Sequence, residues 1–143
     1  QILLCLSAEA LGIMEVLNRL TVEYSKTRKQ FGAPIGSFQA LQHRMVDNFM
    51  AFEQSKSMVY RGVCESTSFN KNDIDINQFL KTAHAVKALI AKNSKQIGDE
   101  SIQIHGGIGM TDELNIGHFV KRLMMINVLF GDGDFHRQCF SQN

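Results

Sequence analysis

Arg28, Phe31 and Gln39 fall inside one short stretch, KTRKQFGAPIGSFQALQHRM (residues 26–45), that also holds two glycines and the only proline of the chain. A guanidinium offers paired N–H donors that match a phosphate, an aromatic ring offers a flat stacking surface, and an amide adds both a donor and an acceptor. Gathered around one rigid turn, the three suit a flat, anionic ligand. Taken singly, Arg28 and Lys29 have a simpler use, because basic side chains at a helix end meet its unpaired carbonyls favourably.

A second stretch, QIHGGIGM, places Gly106, Gly107 and Gly109 beside Gln103 and His105. One glycine is enough to end a helix, and the others let a ligand approach the backbone closely. The spacing is not that of a dinucleotide fingerprint and no strand precedes it, nor does a Gly-Lys-Ser/Thr follow as in a phosphate-gripping loop. A third stretch, FGDGDFHRQ, sets Asp132 and Asp134 next to His136. An acid–base pair or a metal is conceivable there, but no second histidine or regular acidic series supports it. A glycine-rich turn with Asp134 capping a last short helix fits better. His43 and His84 fall on helices without a paired ligand, His118 reads as structural, and the seven methionines read as core filler.

The elements between these breaks are helical. Leu3, Leu6, Ala10, Ile13, Leu17, Leu20 and Tyr24 share one face of a first helix reaching about Lys26. Pro34 cannot continue it, and Gly32 and Gly36 loosen the backbone around the break. Ser37 is then a plausible cap for a second helix to about Glu65, with Phe38, Leu41, Met45, Phe49, Phe52, Val59 and Val63 as its apolar stripe. STSFNKNDIDIN reads as a polar loop. Asp75 or Asn77 can cap a third helix, with Phe79, Ala83, Val86, Ile90 and Ile97 inward, ending near Ile104. Thr111 or Asp112 can cap a fourth, with Leu114, Phe119, Leu123 and Ile126 inward. Long helices joined by short loops predict an all-α fold, an up-and-down four-helix bundle.

At 143 residues the chain suits one domain with a real core. Its 15 Lys+Arg against 14 Asp+Glu leave no broad basic field for nucleic acid. The opening QILLCLSAEALGIM is interrupted by Ser7 and Glu9, short of a membrane span, and has no basic leader. Cys5, Cys64 and Cys139 form no CxxC pair or zinc spacing, so reduced, mostly buried thiols are expected, and with them a soluble, cytoplasmic setting. Beginning at Gln1 inside helix-like sequence, the chain is expected to be a piece of a longer protein.

Taken together, RKQFG, FQALQHRMVDNFM, QIHGGIGM and HFVKRLMM closely resemble the C-terminal helical domain of the acyl-CoA dehydrogenases, over essentially residues 1–143. The resemblance implies a parent that also has an N-terminal helical domain and a middle β-domain, uses FAD to form an α,β double bond in an acyl-CoA thioester, and passes electrons to an acceptor flavoprotein. It further implies that Arg28 binds the FAD pyrophosphate with Phe31 and Gln39 close by. Gln103, Ile104, His105, Gly106 and Gly107 would line the adenosine and pyrophosphate end. In the family these groups serve a flavin held mainly by a neighbouring subunit, which implies a homo- or hetero-oligomer, a dimer or tetramer.

The departures concern the base. Many members carry a catalytic glutamate in Y-E-G-T. Alignment on VKRLMM puts Phe130 at the tyrosine and Gly131 at the glutamate, with Asp132 the one carboxylate beside it. The alternative first-helix position falls near Ile2, and Glu9 lies about two turns further on. FGDGDFH resembles a branch whose members assemble from two different subunits, one lacking the base, and some of which act on sterol side-chain thioesters. Two other readings stay open: a non-catalytic partner subunit, and a helical interaction module whose glycine loops only end helices.

Overall fold

The computed structural model describes every residue except Asn72, Asp112 and Asn143. Four helices form the bundle: α1 (Ile2–Thr27), α2 (Gln39–Asn70), α3 (Ile76–His105) and α4 (Ile116–Val128). A short α5 (Gly133–Gln142) follows, and a hairpin of β1 (Lys29–Gln30) and β2 (Ala33–Pro34) separates α1 from α2. Side-chain pairs fix the directions. Gln1 at the start of α1 reaches Asn70 at the end of α2 (3.3 Å), Arg44 early in α2 meets Glu100 late in α3 (2.5 Å), and Glu9 in α1 meets Arg122 in α4 (2.6 Å). The helices therefore alternate up and down, as the sequence predicts.

α3 is the spine, packing against α1, α2, α4 and α5. Surrounded on several sides, it buries Phe79, Val86, Ile90 and Ile97 together with small residues such as Ala83, Ala91 and Gly98. Each fully buried large side chain contributes roughly 1.5–3 kcal/mol. Buried amides then fix the helix registers: Asn93 Nδ2 donates to the Ala51 carbonyl and to Ser55 Oγ of α2, both at 3.0 Å. On the other side Ser94 Oγ donates to Asn127 Oδ1 of α4 (3.1 Å). Asp75 caps α3, its Oδ1 accepting from the Gln78 amide at 2.8 Å.

Several local expectations need correction. Ser37 does not cap α2: it lies in a 3-10 turn (Ile35–Ser37), donating to the Pro34 carbonyl, and Phe38 takes the cap position without a side-chain bond. α2 runs on to Asn70, through half of the expected loop, because Phe69 stacks on Phe79 of α3 (5.1 Å) and holds the last turn. Its inward face is Asn48, Phe52, Ser55, Val59 and Gly62, while Phe38, Phe49 and Val63 are exposed. α4 starts at Ile116, not near Thr111, whose hydroxyl closes a turn onto the Ile108 carbonyl; Asp112 lies outside the described residues. Asp132, not Asp134, caps α5. Cys5 and Cys64 are exposed and Cys139 is half-buried, so the buried-thiol expectation fails. Of the methionines Met14 is fully buried, whereas Met50, Met110, Met124 and Met125 are exposed. No helix among the described residues is long and apolar enough to cross a membrane.

If α3 is the spine, Ile90→Ala should cost about 2–5 kcal/mol in urea unfolding, lowering the midpoint with little change in slope. Leu80→Ala, on the exposed side of the same helix, should stay within about 0.5 kcal/mol. Asp75→Ala should lose roughly 1 kcal/mol through the cap. Equal effects of the Ile90 and Leu80 changes would contradict the burial pattern.

Candidate functional site

The chain leaves α1 at Arg28, whose backbone turns extended while its amide still reaches the Tyr24 carbonyl (2.9 Å). It then folds back in two residues: Lys29 pairs with Pro34 and Gln30 with Ala33. Such a tight reversal needs positive φ at both tip positions, here Phe31 (54°) and Gly32 (82°). For a phenylalanine this is a costly conformation, of order 1–3 kcal/mol. Phe31 is moreover 93% exposed, touching the Phe38 ring edge-on at 6.2 Å. An aromatic side chain is thus held out in a strained backbone without a pocket of its own.

The end of α3 comes to the same place. Gly106 terminates it at φ 66°, ψ −147°, a geometry closed to residues with a side chain, and Gly106 to Met110 form a 3-10 turn. A Cβ built on Gly106 or Gly107 meets nothing within 4 Å, so both present bare backbone to open space. His105 is fixed behind them. Its ring stacks on Tyr24 at 4.4 Å, and its Nδ1 lies 2.7 Å from the Ser101 carbonyl. Because a carbonyl only accepts, Nδ1 carries the hydrogen. Burial pushes the His105 pKa down, the Ser101 bond opposing this in part, so the ring is neutral near neutral pH.

Between the hairpin and this turn lies a cleft of about 590 Å³. Arg28, Phe31, Gln103, Ile104, His105, Gly106 and Gly107 all line it. Gln39 does not; it is exposed at the first turn of α2. The sequence reading missed Tyr24, Gln30, Ile35, Phe38, Leu41, Arg44 and Ile108, which complete the wall. Arg44 is held by Glu100, whereas no described residue pairs with the Arg28 guanidinium. None of the lining residues is a carboxylate, so the cleft offers cationic donors, aromatic surface and bare backbone.

Gly131 and Asp132 are elsewhere. Their turn packs beside α3 between His84 and Ala91, and the helix from there to His105 spans roughly 21–31 Å. Asp132 Oδ1 accepts from the Phe135 amide at 2.8 Å, which commits the carboxylate to the start of α5. Glu9 is likewise engaged, both its oxygens meeting Arg122 at 2.6 and 2.9 Å. That partnership holds the Glu9 carboxyl below its ordinary pKa. His84 is not partnerless as expected: its Nδ1 lies 2.7 Å from that of His136. Among the described residues no three His, Cys, Asp or Glu side chains gather to hold a metal.

Comparison with known proteins shows the family and the fold. The profile of the family described as acyl-CoA dehydrogenase, C-terminal domain, matches residues 4–143. The acyl-CoA dehydrogenase IpdE2 of Mycolicibacterium smegmatis is 39% identical over 119 residues, covering 83% of this chain and 34% of that protein. Among solved structures, an FAD complex of PigA superposes with a TM-score of 0.84 at 29% identity, covering 96% of this chain and 34% of the other. Butyryl-CoA dehydrogenase from Megasphaera elsdenii gives 0.87 at 25% identity, covering 98% and 35%. The chain spans about a third of the length of these relatives. With the profile matched along nearly its whole length, the chain belongs to the acyl-CoA dehydrogenase C-terminal domain family.

Proposed function

We propose that this chain is the C-terminal bundle of a flavin-dependent acyl-CoA dehydrogenase and that its cleft grips the diphosphate and adenosine end of an FAD shared with a neighbouring subunit. The observation that carries this reading is the Arg28 guanidinium, unpaired among the described residues, on a cleft walled by the bare backbone of Gly106 and Gly107. A diphosphate needs a delocalised cation and an approach free of side chains, and the cleft supplies both without a competing carboxylate. Phe31 gives the flat apolar surface, and Gln103 a neutral donor and acceptor. Gln39 would act from the rim, outside the cleft wall.

Bound FAD supplies the two-electron acceptor for α,β-dehydrogenation of an acyl-CoA thioester. The cleft stands at the C-terminal end of α3, and the Gly131 turn packs lower on the same helix, between His84 and Ala91. One flavin reaching both would have to run along at least half of that helix, about 21 Å, whereas oligomeric subunits sharing two flavins need no such reach. This favours a dimer or tetramer in which the cleft serves a neighbour's cofactor. An electron-accepting flavoprotein completes the cycle. Gly131 stands at the family's Y-E-G-T glutamate and Asp132 serves as a helix cap, so neither supplies the α-proton acceptor in this arrangement. That same feature favours, as the second reading, a heteromer whose other subunit carries the base.

In the full-length parent, Arg28→Ala should weaken flavin retention roughly tenfold to hundredfold, the worth of charge-assisted hydrogen bonds to phosphate. Lys29→Ala, one residue on but outside the cleft, should leave it unchanged. Flavin absorbance retained after gel filtration reads both. Full retention in the Arg28 variant would overturn the assignment of the cleft. Flavin that stays bound but is not bleached by acyl-CoA until a second subunit is added would select the heteromeric reading.

A further inference from the structure

Buried polar groups converge on the α4–α5 connection, beside the stretch of α3 from His84 to Ala91 and away from the cleft, and the proposed cofactor site uses none of them. Lys87, fully buried, donates its ammonium to the Ile126 carbonyl, one of the last carbonyls that α4 leaves unpaired. His136 of α5, 1% exposed, places Nε2 3.0 Å from the Phe130 carbonyl oxygen and Nδ1 2.7 Å from Nδ1 of His84. Only one arrangement of hydrogens satisfies both contacts with neutral rings. The carbonyl requires N–H at His136 Nε2, which leaves His136 Nδ1 as an acceptor and puts the other hydrogen on His84 Nδ1. One added proton is accommodated as His136 Nδ1–H donating to His84 Nδ1, with the His84 hydrogen moved to Nε2. A second leaves N–H on both Nδ1 atoms, and two like-charged rings 2.7 Å apart must separate, pulling His136 from the Phe130 carbonyl.

The backbone held by this bond is under constraint. Phe130 has φ 59° without being glycine, and Gly131 follows at 103°. A Cβ at Gly131 would stand 2.5 Å from the Phe135 ring, and one at Gly133 would stand 2.8 Å from Ala91 Cβ. A left-handed phenylalanine persists only where its surroundings over-determine it. Here the determining contact is the His136 N–H on the Phe130 carbonyl, braced by the Phe135 ring edge-on to His136 at 5.2 Å. The turn also has no room for a side chain at Gly131 in this conformation.

We propose that His136 is the positioning residue of the Phe130–Gly131 turn, that His84 fixes its tautomer, and that protonation of both rings releases the turn. The charged and titratable neighbours are His84 and Lys87 from α3 and Asp132 from the turn itself. Burial is the main influence against protonating His136; His84 and Lys87 add to it, while the Phe130 bond and Asp132 oppose it, and the net direction is downward. His84 is lowered too, by burial. Both rings are thus neutral near neutral pH, and the latch is closed there. Since the folded-state pKa lies below the unfolded one of about 6.5, the stabilisation is present above that value and is lost as pH falls below it. The proposed function enters only in the turn's importance, since it occupies the family's glutamate position; the latch itself is measurable without flavin turnover.

Hydrogen exchange of the full-length parent, followed by mass spectrometry over residues 129–135 and corrected for intrinsic rate, reads the turn directly. From about pH 7 down to about pH 4, protection of this segment should fall roughly tenfold, the worth of one hydrogen bond, while α1 stays protected. His136→Gln keeps an N–H donor that does not titrate, so its profile should be flat with pH. His136→Phe keeps a ring without a donor and should be unprotected at both ends of the range; if that variant loses protection throughout α3, the glutamine variant alone decides. A flat wild-type profile, or a glutamine variant that keeps the wild-type pH dependence, overturns the proposal. Neither result bears on flavin retention, so the cofactor reading stands or falls separately.

Discussion

Everything in this molecule is hung on one helix that has water on little of its surface. α3 packs against four other helices, and that obligation decides its composition: large aliphatics where a neighbour leaves space, alanine, serine and glycine where one comes close. A helix enclosed in this way cannot choose its registers by hydrophobicity alone, because apolar contact is non-directional. The buried amides and hydroxyls, Asn93 toward α2 and Ser94 toward Asn127 of α4, supply the direction. Each is satisfied, which is the condition under which a buried polar group specifies a packing instead of weakening it.

The C-terminal end of that helix and the stretch around His84 and Lys87 carry opposite kinds of polar chemistry. At the C-terminal end, Gly106 and Gly107, with an arginine that no other described residue pairs, leave backbone and charge open to a ligand. In the other stretch, Lys87, His84 and His136 turn inward and spend their donors on the chain's own carbonyls and on each other. Openness in one place and closure in the other follow from the same rule, that buried donors must be paired and exposed ones need not be. The strained residues mark both places: Phe31 at the hairpin tip and Phe130 at the α4–α5 turn are the two non-glycine residues with positive φ among those described.

Much of this was legible in the sequence, for identifiable reasons. The stripe of α3 could be read because Phe79, Ala83, Val86, Ile90 and Ile97 are apolar and its cap, Asp75, is local. On α1 the expected face shares only Ala10 and Leu17 with the buried one, which runs Leu4, Ser7, Ala10, Met14, Leu17, Thr21 and Ser25 and so hides three hydroxyls from a reading by hydrophobicity. The cleft was legible where chemistry exceeded what a turn requires: Arg28 with Phe31, and three glycines where one would do. Tyr24 and Arg44 were hidden because each also fits an ordinary helix pattern. On α2 the pattern misled, since Asn48 and Ser55 face the core while Phe49 and Val63 face outward. The choice between Asp132 and Asp134 as cap turned on the positive φ at Gly131, which no spacing encodes. His84 and His136 are far apart in the chain, and only the packing of α5 on α3 makes them a pair.

Because a single unbroken helix joins the cleft to the Gly131 turn, α3 also works as a ruler and a protractor. A helix advances about 1.5 Å and rotates about 100° per residue. One residue added or lost anywhere between Lys87 and Ser101 would therefore swing one end around the bundle axis relative to the other, without touching a residue of either. Length variation that the loop before Asp75 could absorb would be ruinous here. The helix's residue count is as much a part of the site as any side chain in it.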